Sequence, residues 1–130
     1  MAERPAASTK PVAQRLLLKA GSRALVLDAP PDYLDHFLTE VKVDQQLAGG
    51  PYDFIQLFAT RRDTVLARGP QLRQALKPGG VLWVSYPKGK ALPTDLNRDI
   101  LRVALEEVGL EAVTQVAIDD VWSALRAKVV

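Results

Sequence analysis

Leu76-Lys77-Pro78-Gly79-Gly80-Val81-Leu82-Trp83-Val84-Ser85 is the stretch whose reading decides the fold. Lys77 suits the last turn of a helix, where a cation meets the negative end of the dipole. Pro78 cannot continue that helix, and Gly79-Gly80 admits positive φ. Val81 to Val84 is then apolar without a break. Such a run fits a central parallel strand covered on both faces.

Working outward, 130 residues make one domain with room for a proper core. A flexible arm is expected at 1–11 and a single α/β domain at 12–130. The 17 basic and 15 acidic side chains nearly cancel to +2. That balance gives no reason to expect nucleic acid or an anionic membrane as partner. The chain has no cysteine, so disulfides, thiolate catalysis and cysteine metal sites are excluded. Its one histidine, His36, stands without a second histidine or an orienting partner, and no metal site is expected. No apolar run reaches the length of a membrane span, and a cytoplasmic protein is the default expectation.

Before the deciding stretch, residues 12–19 read as a short helix ended by Gly21. Residues 23–28 read as an internal strand, apolar on both faces. Leu34, Phe37, Leu38 and Val41 fall at i, i+3, i+4 and i+7, which predicts a helix entered at Pro31. Residues 41–44 suit a very short edge strand, and Gly49-Gly50-Pro51 a turn. Residues 52–58 form the next strand. A helix with Asp63 as N-cap runs from there to Leu76, and Gly69-Pro70 predicts a kink or two shorter helices.

After the deciding stretch, Thr94 reads as the N-cap of the longest helix. Leu96, Ile100, Val103, Ala104 and Leu105 are its buried face, and Gly109 ends it. Residues 114–118 and 122–129 alternate polar and apolar, as an antiparallel hairpin at a sheet edge does. The sum is a three-layer, Rossmann-like α/β sandwich with a mostly parallel sheet and an antiparallel C-terminal β-hairpin.

The Lys77-Pro78-Gly79-Gly80 turn, the buried strand, the long helix and the closing hairpin resemble the C-terminal half of class I S-adenosylmethionine-dependent methyltransferases. Tyr52-Asp53-Phe54-Ile55 resembles the strand before it in that superfamily. The resemblance covers residues 22–130. The whole chain is also similar to a small bacterial family of unknown function, a DUF family with a degenerate methyltransferase-like fold. Segments 23–33, 54–58, 77–88, 94–102 and 119–125 carry that similarity, which implies a fold and no activity.

The departures from the superfamily bear on chemistry. Its first strand leads into a glycine-rich turn that lets the cofactor approach the backbone. Here that turn is Asp28-Ala29-Pro30-Pro31-Asp32, and no glycine occurs between Gly21 and Gly49. Two prolines remove two amide donors and add bulk. The span from Asp28 to Phe54 leaves room for one helix and one short strand, a shortened methyltransferase-like topology. Asp44 is the one acid placed to mimic a ribose ligand, with a solvated loop aspartate as the plainer reading.

In an open α/β sheet, ligands gather at the carboxyl ends of the parallel strands. That rule collects a candidate rim: Asp28, Asp32, Tyr33, Arg61, Ser85, Lys88, Lys90, Thr94, Asp120 and Trp122. Arg61, Arg62, Lys88 and Lys90, with a helix N-terminus at Thr94, could hold an anion, although solvated surface charge on loops is the preferred reading. Trp122 could cover a planar ligand, with core packing over the sheet edge as the preferred reading. Ser85 has no nearby histidine to activate it, so no catalytic residue is assigned.

Three readings follow. The first is a non-catalytic binding or regulatory module with no cofactor, holding an anionic small molecule or a protein partner. The second is a divergent methyltransferase that uses S-adenosylmethionine. The third is a module that self-associates through its edge hairpin, against which Arg126 and Lys128 on the last strand count.

Overall fold

The computed structural model describes residues 12–36, 41–48, 50–89 and 91–130. The expected arm at 1–11 lies outside them, as do Phe37, Leu38 and Lys90.

Six strands form one sheet: β1 (Arg23–Leu27), β2 (Lys42–Asp44), β3 (Tyr52–Phe58), β4 (Leu76–Pro87), β5 (Leu110–Ala117) and β6 (Trp122–Val129). Their spatial order is β2-β1-β3-β4-β6-β5. β1 pairs in parallel with β2 and β3, and β3 with β4. β6 runs antiparallel between β4 and β5. The helices are α1 (Val12–Arg15), α2 (Arg62–Ala75) and α3 (Arg98–Glu107), and Tyr33–His36 forms a single 3₁₀ turn. Among the described residues no helix is long and apolar enough to cross a membrane.

Alternation along the strands sends two different sets of side chains to the two faces. Leu25, Leu27, Ile55, Leu57, Leu82 and Val84 join Leu72 of α2 and Leu101, Ala104 and Leu105 of α3. Each fully buried leucine there contributes about 1.5–3 kcal/mol. Ala24, Val26, Phe54, Phe58 and Trp83 face the other way. Leu16, Leu18 and Tyr33 cover them, so among the described residues this layer is a strap and a single 3₁₀ turn. The strap is tied down by the Trp83 indole, which donates to the Leu16 carbonyl at 2.8 Å. Arg15 adds hydrogen bonds to the carbonyls of Ala117 and Ile118 at the end of β5.

The short edge strand at 41–44 and the closing hairpin are as expected, but several local expectations are corrected. Lys77 lies in β4, because α2 stops at Ala75 and residues 76–80 continue as irregular strand. Tyr52 pairs with Leu76 there, before the register shifts, and Gly79 takes φ +81°. Helix α2 is one helix through Gly69 and Pro70. Gly69 faces Val108, whose Cγ2 would lie 2.5 Å from any Cβ added there. The N-cap position of α2 is Arg61, and Asp63 sits in the first turn.

The last helix starts at Arg98, capped by Asn97, whose Oδ1 accepts from the Ile100 amide at 2.8 Å. Thr94 therefore caps no helix, and α2 is the longest helix. Leu96, Ala104 and Leu105 are buried as expected and Leu101 joins them, whereas Ile100 and Val103 are exposed. The helix expected from Pro31 is a 3₁₀ turn in its described part, and α1 ends at Arg15. The open edge of the hairpin is β5, since β6 is enclosed between β4 and β5. The charges of Arg126 and Lys128 therefore do not sit on the free edge.

Candidate functional site

At the carboxyl end of β1 the chain turns through residues that lack glycine. Asp28 (φ 59°) and Asp32 (φ 65°) adopt the left-handed conformation, which aspartate tolerates better than most side chains. The Tyr33 amide donates to the Pro30 carbonyl at 3.2 Å and closes the turn. Asp28 and Asp32 point to solvent, whereas Tyr33 is only 5% exposed.

Tyr33 ends in a buried polar chain. Its hydroxyl donates to Gln56 Oε1 at 2.7 Å, and Gln56 Nε2 donates to Ser85 Oγ at 2.9 Å. Gln56 and Ser85 are both fully buried, so each depends on these partners. Burial holds the Tyr33 phenol far above the ordinary tyrosine range. Its ring meets Phe58 edge-on, with centroids 4.7 Å apart, and Phe58 meets Trp122 edge-on at 4.9 Å. Tyr33, Phe58 and Trp122 thus fill the carboxyl end of β1 and β3 on the strap-covered face.

Around this plug, the other expected rim residues fall into separate settings. Thr94 Oγ1 donates to the Thr60 carbonyl at 2.6 Å, and the Asp95 amide donates to the same oxygen at 3.2 Å. These bonds place the Asp95 carboxylate on the N-terminus of α2, where Oδ1 accepts from the Arg62 amide at 2.7 Å. Arg62 itself pairs with Glu107, while the Arg61 side chain is exposed. The Lys88 amide donates to the Val121 carbonyl at 2.7 Å, which fastens the end of β4 to the hairpin tip. At that tip Asp119 Oδ1 accepts from the amides of Val121 and Trp122, and Asp120 is exposed. The structure therefore brings Tyr33, Ser85 and Trp122 into one buried cluster. It places Arg61, Asp28, Asp32 and Asp120 separately on the surface. Gln56 and Phe58, which join the cluster, were not expected; the one signal was a lone amide inside an apolar strand.

Asp44 ends the short edge strand β2, level with Leu25 of β1, and its side chain is engaged by the first residues of β1 and β3. It accepts from the Tyr52 hydroxyl at 2.7 Å and pairs with Arg23 at 3.3 Å, while the Arg23 guanidinium lies 4.7 Å from the Tyr52 ring centroid. The Tyr52 hydrogen bond, with Arg23 beside it, lowers the Asp44 pKa. Asp53 is lowered likewise, first by the Arg23 amide and then by Lys77. Asp44, through the Tyr52 hydroxyl that accepts from the Ala48 amide, holds the loop that joins β2 to β3, whereas Asp53 ties the start of β3 to Arg23 and Lys77. Near them, a cleft of about 230 Å³ opens between Leu17, Lys19, Asp53, Phe54 and Lys77. It lies at the amino ends of β3 and β4, away from the plug. Among the described residues no group of three His, Asp or Glu side chains is placed to hold a metal ion.

No family model matches the chain, and no curated protein matches it. Solved structures do. The DhpI–SAH complex aligns with a TM-score of 0.60 at 13% identity, over 82% of this chain and 76% of that one. The TehB-like SAM-dependent methyltransferase of Corynebacterium glutamicum aligns at 0.59 with 14% identity, over 96% of this chain and 90% of that one. The 1,6-didemethyltoxoflavin-N1-methyltransferase of Burkholderia thailandensis, solved with its substrate and S-adenosylhomocysteine, aligns at 0.60 with 11% identity, over 92% and 77%. At such identities the likeness is one of fold, and it establishes that this chain is a Rossmann-like α/β sandwich of methyltransferase-like architecture.

Proposed function

We propose that this chain is a non-catalytic, methyltransferase-like binding or regulatory module. The observation that carries the reading is the packing of buried Tyr33 against Phe58, which packs in turn against Trp122, at the carboxyl end of β1. In the resembling superfamily that end of the strand offers glycine and free amides to the cofactor. Here Pro30 and Pro31 offer no amide, and a buried ring stands beside them. Asp44, the one acid able to stand in for a ribose ligand, is engaged with Tyr52 and Arg23. These residues do not fit S-adenosylmethionine. Arg61 and Lys88 remain for an anionic small molecule or a partner's carboxylates, but exposed Asp28, Asp32 and Asp120 dilute their field.

The divergent-enzyme reading keeps one support: Asp28 retains the left-handed turn that glycine serves elsewhere. Calorimetric titration with S-adenosylmethionine and S-adenosylhomocysteine decides between the two. No heat of binding is expected at millimolar ligand. Micromolar binding would overturn the proposal and make Asp28 and Asp44 the first residues to substitute.

A further inference from the structure

We propose that the Tyr33 side chain is a displaceable occupant of a site that takes a small phenol, walled by Phe58, which Trp122 backs, and ended by Gln56 and Ser85. The inference rests on the reading of this end of the sheet as a binding site and names its ligand class. Three observations support it.

The first is shape. Phe58 makes one edge-on contact with the Tyr33 ring and another with Trp122, so the Trp122 contact still holds its orientation when Tyr33 leaves. Such contacts suit one flat ring.

The second is polarity. Gln56 Oε1 is a fully buried acceptor, and the bond from Gln56 Nε2 to Ser85 Oγ fixes which way it points. An acceptor stripped of its donor in such a place is costly, so the vacated site calls for a ring that carries a hydroxyl.

The third is the difference in how walls and occupant are held. Phe58, Gln56, Ser85 and Trp122 stand on three paired strands. Tyr33 stands on a single 3₁₀ turn, reached through Asp28 and Asp32 in the left-handed region. Short 3₁₀ pieces have poorer hydrogen-bond geometry than α-helix, and left-handed non-glycine residues add strain. The occupant can therefore swing out while the walls persist, and a ligand's apparent affinity is reduced by the fraction of chains that keep Tyr33 in place.

The test uses p-cresol, with toluene as the ring lacking the hydroxyl. In Tyr33→Ala, p-cresol should raise the melting temperature in a saturable way, and toluene should bind about tenfold more weakly, the factor one buried hydrogen bond supplies. In the wild-type chain, p-cresol should speed amide hydrogen exchange at 28–36 and leave β3 unchanged. Equal effects of the two ligands on the variant would overturn the proposal. So would wild-type exchange at 28–36 that p-cresol does not alter, and this arm decides the matter if Tyr33→Ala does not fold. S-adenosylhomocysteine is titrated beside them. Its binding would sink the non-catalytic reading, whereas failure of p-cresol alone would sink only the phenol site.

Discussion

The two faces of the one sheet solve the same burial problem with different chemistry. Under α2 and α3 the sheet presents chiefly aliphatic side chains, and Leu101, Ala104 and Leu105 meet them with no exposed surface. Under the strap the sheet presents Phe54, Phe58 and Trp83, together with buried Gln56 and Ser85. That face also leaves Arg126 Nε buried without a hydrogen bond among the described residues. A helix satisfies its own backbone, so apolar packing suffices beneath it. A strap does not, and the Leu16 carbonyl draws its donor from Trp83. The face that has no long helix among the described residues is where rings, amides and hydroxyls accumulate, and there a binding site can arise.

The largest expected effect tests that contrast directly. Leu101→Ala should cost about 2–5 kcal/mol in urea unfolding, because two helices and a sheet cannot close the cavity. Leu16→Ala should fall at the low end of that range, since a strap can settle into the space. Equal losses would mean that the strap is as rigid as the helices.

A smaller effect separates packing from propensity. Gly69→Ala improves helix propensity by about 1 kcal/mol. It also drives a methyl into Val108, at 2.5 Å from Cγ2 and 2.9 Å from Cβ, where overpacking costs about 1–3 kcal/mol. A net destabilisation in thermal melts is expected. A gain would show that α3 slides freely on α2.

The smallest effect vanishes at neutral pH. Burial raises the pKa of Tyr33 on the strap face and of Tyr86 on the helix face, and Tyr52 is raised too. Unfolded tyrosines ionise near pH 10, whereas the folded phenols keep their protons to higher pH. The stability they contribute is therefore complete below about pH 10 and is lost as pH rises above it. Ultraviolet titration should show phenolate appearing together with unfolding. Phenolate in a chain still folded at pH 10 would show that these rings are open to solvent.

The fold was legible wherever an apolar run or an alternation stood alone: Val81 to Val84, residues 52–58 and the closing hairpin all lie where expected. Errors arose where a local signal was spent on a tertiary bond. Thr94 carries a capping signal, and its Oγ1 does accept from the Leu96 amide at 3.0 Å, but it serves a loop fastened to Thr60. Asn97, three residues later, caps the helix instead, and Leu101 with Ala104 and Leu105 takes the buried stripe that leaves Ile100 and Val103 outward. At the candidate site, the missing glycines were readable. The Tyr33–Gln56 bond was not, because it spans 23 residues and nothing in either segment names the other.

The carboxylate of Asp95 on the Arg62 amide has a consequence for any anion approaching α2. A helix start with free amides competes only with water for an incoming phosphate. This one already holds a tethered anion, and tethering gives such a group a local concentration on the order of millimolar. The Thr94 and Asp95 bonds to Thr60 restrict its travel and favour the docked position. A free anion of equal intrinsic affinity at micromolar concentration therefore competes at a disadvantage with the tethered Asp95 carboxylate for the Arg62 amide.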